Sequence, residues 1–185
     1  MIASITVCSI ILLISLWGIA TSNGLIAKRN RVRQCRSGIC VVIKQRNDMI
    51  PNLVATVKSY MGHENATLTK IAELRSQGTY RSEGEEIRRG GEISALLGRL
   101  NVAVENYPEL MSNLQFRDLQ TRIAGMENEI QAIRRTYNSA VTDYNNAIEM
   151  FPSSIIASWR HHEPESLIEF PETELDGVDV ASLIK

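Results

Sequence analysis

The chain has 185 residues, of which 44% are hydrophobic and 22% charged, with a net charge of −1. This allows one domain with a sizeable core and excludes both a polytopic membrane protein and a wholly disordered chain. Aromatics at 5%, 11 glycines and 5 prolines argue against an all-β architecture, and the near-neutral balance removes the electrostatic basis for nucleic-acid binding. The charge is nevertheless polarised: residues 1–62 carry eight Lys or Arg against one acid, and residues 63–185 carry twelve against twenty.

From Met1 to Ala27 no side chain is charged, and Ile2 to Ala20 is almost continuously apolar, with Ile10, Ile11, Leu12 and Leu13 at its centre. As a helix this run is about 28 Å long at ~1.5 Å per residue, enough to cross a hydrocarbon core of about 30 Å once. A cleavable signal peptide would open on basic residues, and none precedes this core. Residues 1–22 are therefore expected to be a transmembrane anchor. Lys28, Arg29, Arg31, Arg33 and Arg36 crowd its C-terminal flank, which is expected to place the N-terminus outside and the rest of the chain in the cytoplasm. Trp17 suits the interfacial aromatic belt, and the five cations are candidate contacts to lipid headgroups or simply a solvated helix face. Ala20 and Gly24 offer a small-xxx-small contact between anchors.

Beyond the anchor the hydrophobic period is helical almost everywhere. Leu25, Val32, Cys35, Ile39, Val42, Met49, Leu53, Val57 and Tyr60 keep a three-to-four spacing, interrupted by Lys28 and Arg46. Pro51 is expected to kink this helix without ending it, and Gly62 to terminate it. A shorter helix follows on Leu68, Ile71 and Leu74. Glycines 78, 84, 90 and 91 then mark a connection. Ser82 and Glu85 have capping-box spacing for a third helix, with Ile93, Leu96, Leu97, Leu100, Val104 and Tyr107 on its core face before Pro108. Ser112 and Gln115 repeat that spacing. The last pattern, Phe116, Leu119, Ile123, Met126, Ile130, Ile133, Tyr137, Ala140, Tyr144 and Ile148, alternates three and four until Pro152. Cys8, Cys35 and Cys40 fall in no disulfide framework.

These segments predict an all-α chain: an N-terminal transmembrane helix followed by a long antiparallel bundle of about four helices, the first and last longest. The bundle is assigned to residues 23–152, and residues 153–185 to an amphipathic segment and an acidic tail. If the first and last helices match and run antiparallel, Ile155, Ile156 and Trp159 return beside the anchor with Arg160, His161 and His162 at their edge. Trp159 is then a candidate lipid contact.

The stretch Arg46-Asn47-Asp48-Met49-Ile50-Pro51-Asn52-Leu53-Val54-Ala55-Thr56-Val57-Lys58-Ser59-Tyr60, with His63-Glu64 and Thr67-Leu68 after it, resembles the LemA family. So do Tyr107-Pro108-Glu109-Leu110 and the run from Arg135 to Asn145 with Phe151-Pro152 after it. The resemblance implies a bacterial single-pass membrane protein with a long helical bundle, without an established catalytic activity, some of whose relatives belong to specialised membrane systems such as magnetosomes. The glycine-rich middle and a shorter, more acidic end depart from many relatives.

The chemistry-bearing patterns are mostly negative. His63-Glu64 begins H-E-x-x-H, but position 67 is Thr, and no histidine follows a glutamate by three as di-iron bundles require. No metal, cofactor or catalytic residue is assigned. Tyr137, Asn138, Asp143, Tyr144 and Asn145 form a candidate recognition face; alternatively, both tyrosines complete the core stripe while their hydroxyls find partners nearby. Residues 161–185, with seven acids and one lysine, are expected to extend as a tail that is solvated, docks on a basic partner or folds onto the basic juxtamembrane helix. The function expected is a self-associating, membrane-anchored scaffold that binds lipid and other membrane proteins. The alternative is an enzyme with a carboxylate-based site inside the bundle.

Overall fold

The computed structural model describes residues 1–61, 66–76 and 82–168, and every regular element among them is helical. In order these are α1 (Ile2–Met61), α2 (Ala66–Ser76), α3 (Glu83–Val104), α4 (Pro108–Ser112), α5 (Leu114–Glu149) and α6 (Ser153–Trp159). The expected anchor and the helix after it are one continuous helix, which also runs through Pro51. Gly62, His63 and Gly78, and the acidic stretch from Glu169 onward, lie outside the described residues. The chain divides into two compact units, one of Met1–Arg36 with Arg134–Ile168 and the other containing Ser37–Ile133, so α1 and α5 contribute to both.

In the second unit, Ile50, Leu53 and Val57 of α1 meet Leu68 and Ile71 of α2, Ile93, Leu97 and Leu100 of α3, Leu110 of α4, and Phe116 and Ile123 of α5 in one buried cluster. The helix directions follow from side-chain contacts. Gly38 lies against Ile133, Arg46 reaches Glu127, and Asn113 donates to the Tyr60 hydroxyl, so α1 and α5 run antiparallel here. Ile43 packs on Gly90 and Arg46 reaches Ser94, so α3 runs parallel to α1.

Two local expectations need correction. Gly84, Gly90 and Gly91 sit inside α3 rather than in a connection. Gly90 is buried because α3 approaches α1 closely there: a Cβ at this position would lie 2.7 Å from the Ile43 Cδ1 atom. Ser82 does cap α3, accepting from the Glu85 amide at 3.3 Å, but α5 is capped by Asn113 and not Ser112. The Asn113 side chain accepts from the Phe116 amide at 3.0 Å, while the Ser112 hydroxyl is turned back to the Pro108 carbonyl in α4. The α4 turn itself, with Pro108 at its first position, has too few residues to show a period.

In the first unit, Leu25 and Val32 of α1, Tyr137, Ala140, Val141, Tyr144 and Ile148 of α5, and Ala157 of α6 are buried. Residues 1–17, by contrast, are exposed throughout, including Ile10, Ile11, Leu12, Leu13 and Trp17. A helix whose most apolar window has none of its residues covered by the rest of the protein is long and apolar enough to cross a bilayer.

Candidate functional site

The first unit gathers the polar and aromatic residues of the α5 C-terminal half around a segment of this same chain. After α6 the backbone reverses at His161, whose φ of 52° is in the left-handed region, and the His162 amide donates to the Ala157 carbonyl at 3.0 Å. This closes α6 in the manner of a Schellman motif, with histidine where glycine is usual. Residues 162–168 then run without regular secondary structure along α5.

Two asparagines hold that segment by its backbone. Asn145 donates to the Glu165 carbonyl at 2.9 Å and accepts from the Glu165 amide at 3.0 Å. Asn138 makes the same pair of bonds with Ile168, both at 2.9 Å. The spacing is commensurate: seven residues of helix rise about 10.5 Å, and three residues of extended chain advance about 10 Å. Two side chains on one helical face therefore meet every third residue of the strap. Between them the Tyr137 hydroxyl donates to the Ser166 carbonyl at 2.9 Å, and Arg36 of α1 donates to the Tyr137 oxygen at 2.8 Å. Arg36 also pairs with the Glu165 carboxylate at 3.4 Å, with its guanidinium over the Tyr137 ring.

The strap begins at a second tyrosine. The Tyr144 hydroxyl and His162 Nδ1 are 3.0 Å apart. Burial raises the Tyr144 pKa above its ordinary 10.0, so the hydroxyl keeps its proton and can donate. Burial, with the positive charges of Arg29 and Arg160, lowers the His162 pKa below its ordinary 6.5. The neutral imidazole is the favoured form here.

Of the sequence-expected residues, Tyr137, Asn138, Tyr144 and Asn145 converge on the strap, while Asp143 on the opposite face is exposed. Among the basic residues, Lys28, Arg31 and Arg33 are exposed, Arg29 is half-buried, and Arg36 engages Tyr137 and Glu165. Trp159 is exposed at the end of α6, whose Ile156 Cδ1 atom lies 3.8 Å from where a Cβ of Gly18 would be.

The second unit contains a polar cluster that the period marked only as an interruption. Arg46 is fully buried and donates to Ser94 and Glu127 at 2.7 Å each, to the Gly90 carbonyl at 3.1 Å and to Asn47 at 3.2 Å. Ser94 donates to the other Glu127 oxygen at 2.8 Å, so each oxygen of this carboxylate has a partner within the cluster. Among the described residues no three His, Cys, Asp or Glu side chains are grouped to hold a metal ion, and Cys8, Cys35 and Cys40 are not in disulfides. The hydrogen bonds of both clusters orient peptide groups and charges.

The LemA family profile matches residues 36–181. A curated relative, Protein LemA of Metamycoplasma hominis, is 26% identical over 164 residues, covering 88% of this chain and 74% of its own. Magnetosome protein MamQ 2 of Paramagnetospirillum magneticum is 26% identical, and magnetosome protein MamQ of Magnetospirillum gryphiswaldense 24%, each over 149 residues. Those matches cover 66% of this chain and 55% of the magnetosome proteins, so the chain spans about half their length.

Proposed function

The chain belongs to the LemA family, and from that premise we propose that it is a membrane-anchored helical interaction protein that self-associates and catalyses no reaction. The observation that carries this reading is the exposed apolar run of α1, continuous in one helix with the basic turns from Lys28 to Arg36. An uncovered apolar helix has only lipid or another copy to bury it. The basic flank favours a cytoplasmic position for the folded units at the inner membrane, with the N-terminus outside. The names of the relatives are not those of enzymes, and Glu127, the carboxylate drawn into the buried cluster, is bonded to Arg46 and Ser94. Self-association has its support in the α1 face bearing Ala20 and Gly24: both are exposed, and among the described residues nothing lies within 4 Å of a Cβ placed at Gly24. Anchored copies confined to a plane meet at high effective concentration. Other membrane proteins are the remaining class of partner proposed.

Two measurements test this. Protease added to intact spheroplasts is expected to spare the folded units, and their complete digestion before lysis overturns the orientation. Mass photometry of the full chain in mild detergent is expected to show oligomers that Gly24→Leu reduces; single chains alone would end the self-association reading.

A further inference from the structure

Within the first unit, α6 packs on the last turns of the apolar run. If Ile2 to Ala20 crosses the bilayer, about 28 Å of helix places Gly18 within one turn of the hydrocarbon boundary. The Ile156 contact with Gly18 fixes α6 at that same depth. The outward surface of this short segment suits that level: Phe151 is 80%, Ile155 59% and Trp159 77% exposed, and Arg160 follows directly. Large apolar side chains ending in Trp and a cation are what a helix lying in the headgroup zone presents.

A groove of about 260 Å³ opens where the two helices meet. Gly18 and Ile156 line it where the helices touch, and Ser22, Asn23, Trp159 and Arg160 are also among its lining residues. Ser22 is 8% exposed, and its hydroxyl oxygen is buried without a hydrogen-bond partner among the described residues. A buried hydroxyl left unsatisfied is unfavourable, and a ligand with oxygen atoms would relieve it.

We infer that this groove binds one anionic phospholipid of the surrounding leaflet. An acyl chain lies along Gly18 and Ile156, ester or glycerol oxygens reach Ser22, and Arg160 takes the phosphate. A free phosphate would find one cation beside apolar residues, so a bilayer lipid is the occupant that uses the whole groove. This rests on the anchor reading and adds to it that the chain touches the membrane twice, through α1 and through α6.

The test uses the full chain in nanodiscs containing phosphatidylglycerol, with lipids brominated either near the ester end of the acyl chain or near its methyl end. Trp17→Phe leaves Trp159 as the single tryptophan, and Trp159→Phe leaves Trp17. Trp159 is expected to be quenched more by bromine near the ester end, and Trp17 by lipid as well. A quenched Trp17 beside an unquenched Trp159 overturns the groove and spares the anchor; an unquenched Trp17 overturns both. Replacing phosphatidylglycerol by phosphatidylcholine is expected to weaken lipid retention in native mass spectrometry by about fivefold, the effect of one basic residue at an anionic surface, and Arg160→Gln to abolish that difference. Gly18→Leu, which puts a side chain into the groove, is expected to remove the bound lipid while far-ultraviolet circular dichroism is unchanged. Equal retention by folded Gly18→Leu refutes the site.

Discussion

Replacing Gly90 by alanine sets two physical effects of similar size against each other. In an exposed helix interior, glycine to alanine stabilises by about 1 kcal/mol, because alanine loses less backbone entropy on folding. Gly90 is in the interior of α3, so that gain applies, but its new Cβ would lie 2.7, 3.1 and 3.3 Å from Cδ1, Cγ1 and Cγ2 of Ile43. Ile43 is fully buried, so it has no solvent to rotate into. Overpacking of this kind costs about 1–3 kcal/mol, which leaves Gly90→Ala about 0–2 kcal/mol destabilised. The Gly90 carbonyl also holds Arg46, so a shift of α3 away from α1 stretches that bond. Gly98 is the control: it is in the same helix, exposed, with nothing within 4 Å of its Cβ position, and Gly98→Ala is expected to stabilise by the full propensity gain of about 1 kcal/mol. The two variants should thus differ by about 1–3 kcal/mol in urea unfolding of the detergent-solubilised chain, followed by far-ultraviolet circular dichroism. Ile43→Val removes the closest atom, so the double variant Gly90→Ala/Ile43→Val should be less destabilised than the sum of its singles. Equal stabilisation by Gly90→Ala and Gly98→Ala would refute the close approach of α3 to α1.

Glu127→Ala leaves the buried Arg46 without its counter-charge and is expected to cost about 2–4 kcal/mol, reduced from a fully buried pair because the Glu127 side chain is 24% exposed. Arg46→Met combined with Glu127→Leu should be more stable than Glu127→Ala alone, and the reverse order in urea midpoints would show that the carboxylate does not compensate the guanidinium. Asn145→Ala deletes both bonds to Glu165, about 1–3 kcal/mol of local stability, and hydrogen exchange should show lost protection of the Glu165 amide while the α1 core is unchanged; retained protection removes the asparagine as the holder of the strap. The lowered His162 pKa sets a sign for pH. Above the ordinary 6.5 the imidazole is neutral in both folded and unfolded states and its contribution is fully present. As pH falls through 6.5 and then through the lowered folded value, the unfolded state binds the proton first and strap stability is lost. Protection factors of the Glu165 and Ile168 amides should therefore fall on acidification just below 6.5, less steeply in His162→Gln, and a rise would contradict the assigned direction.

The helical class, the membrane-length apolar run and most of the buried stripe were legible in the sequence, because each is a matter of period and length along one segment. Leu25, Val32, Ile39, Val42, Leu53 and Val57, and Phe116, Ile123, Ile130, Tyr137 and Tyr144, are buried where the three-to-four spacing puts them. The family was equally legible, in the residues around Pro51 and between Arg135 and Asn145. Other features depend on which segment lies opposite, and no local pattern contains that. Gly90 has the residue type of a break, yet it lies inside a helix, where Ile43 of another helix occupies the space a side chain would take. Arg46 interrupts a hydrophobic stripe, and only the placement of Ser94, Gly90 and Glu127 from two other helices lets a guanidinium be buried there. Asn138 and Asn145 stood out as polar residues on a helical face, but their role as paired backbone clamps exists only once residues 165–168 run beside them at a matching repeat. Sequence determined which segments are helices and which faces avoid water, since hydrophobic period and capping act over one or two turns. Tertiary structure alone decided the partners of the buried polar groups, since hydrogen bonding and close packing depend on atoms brought together from distant parts of the chain.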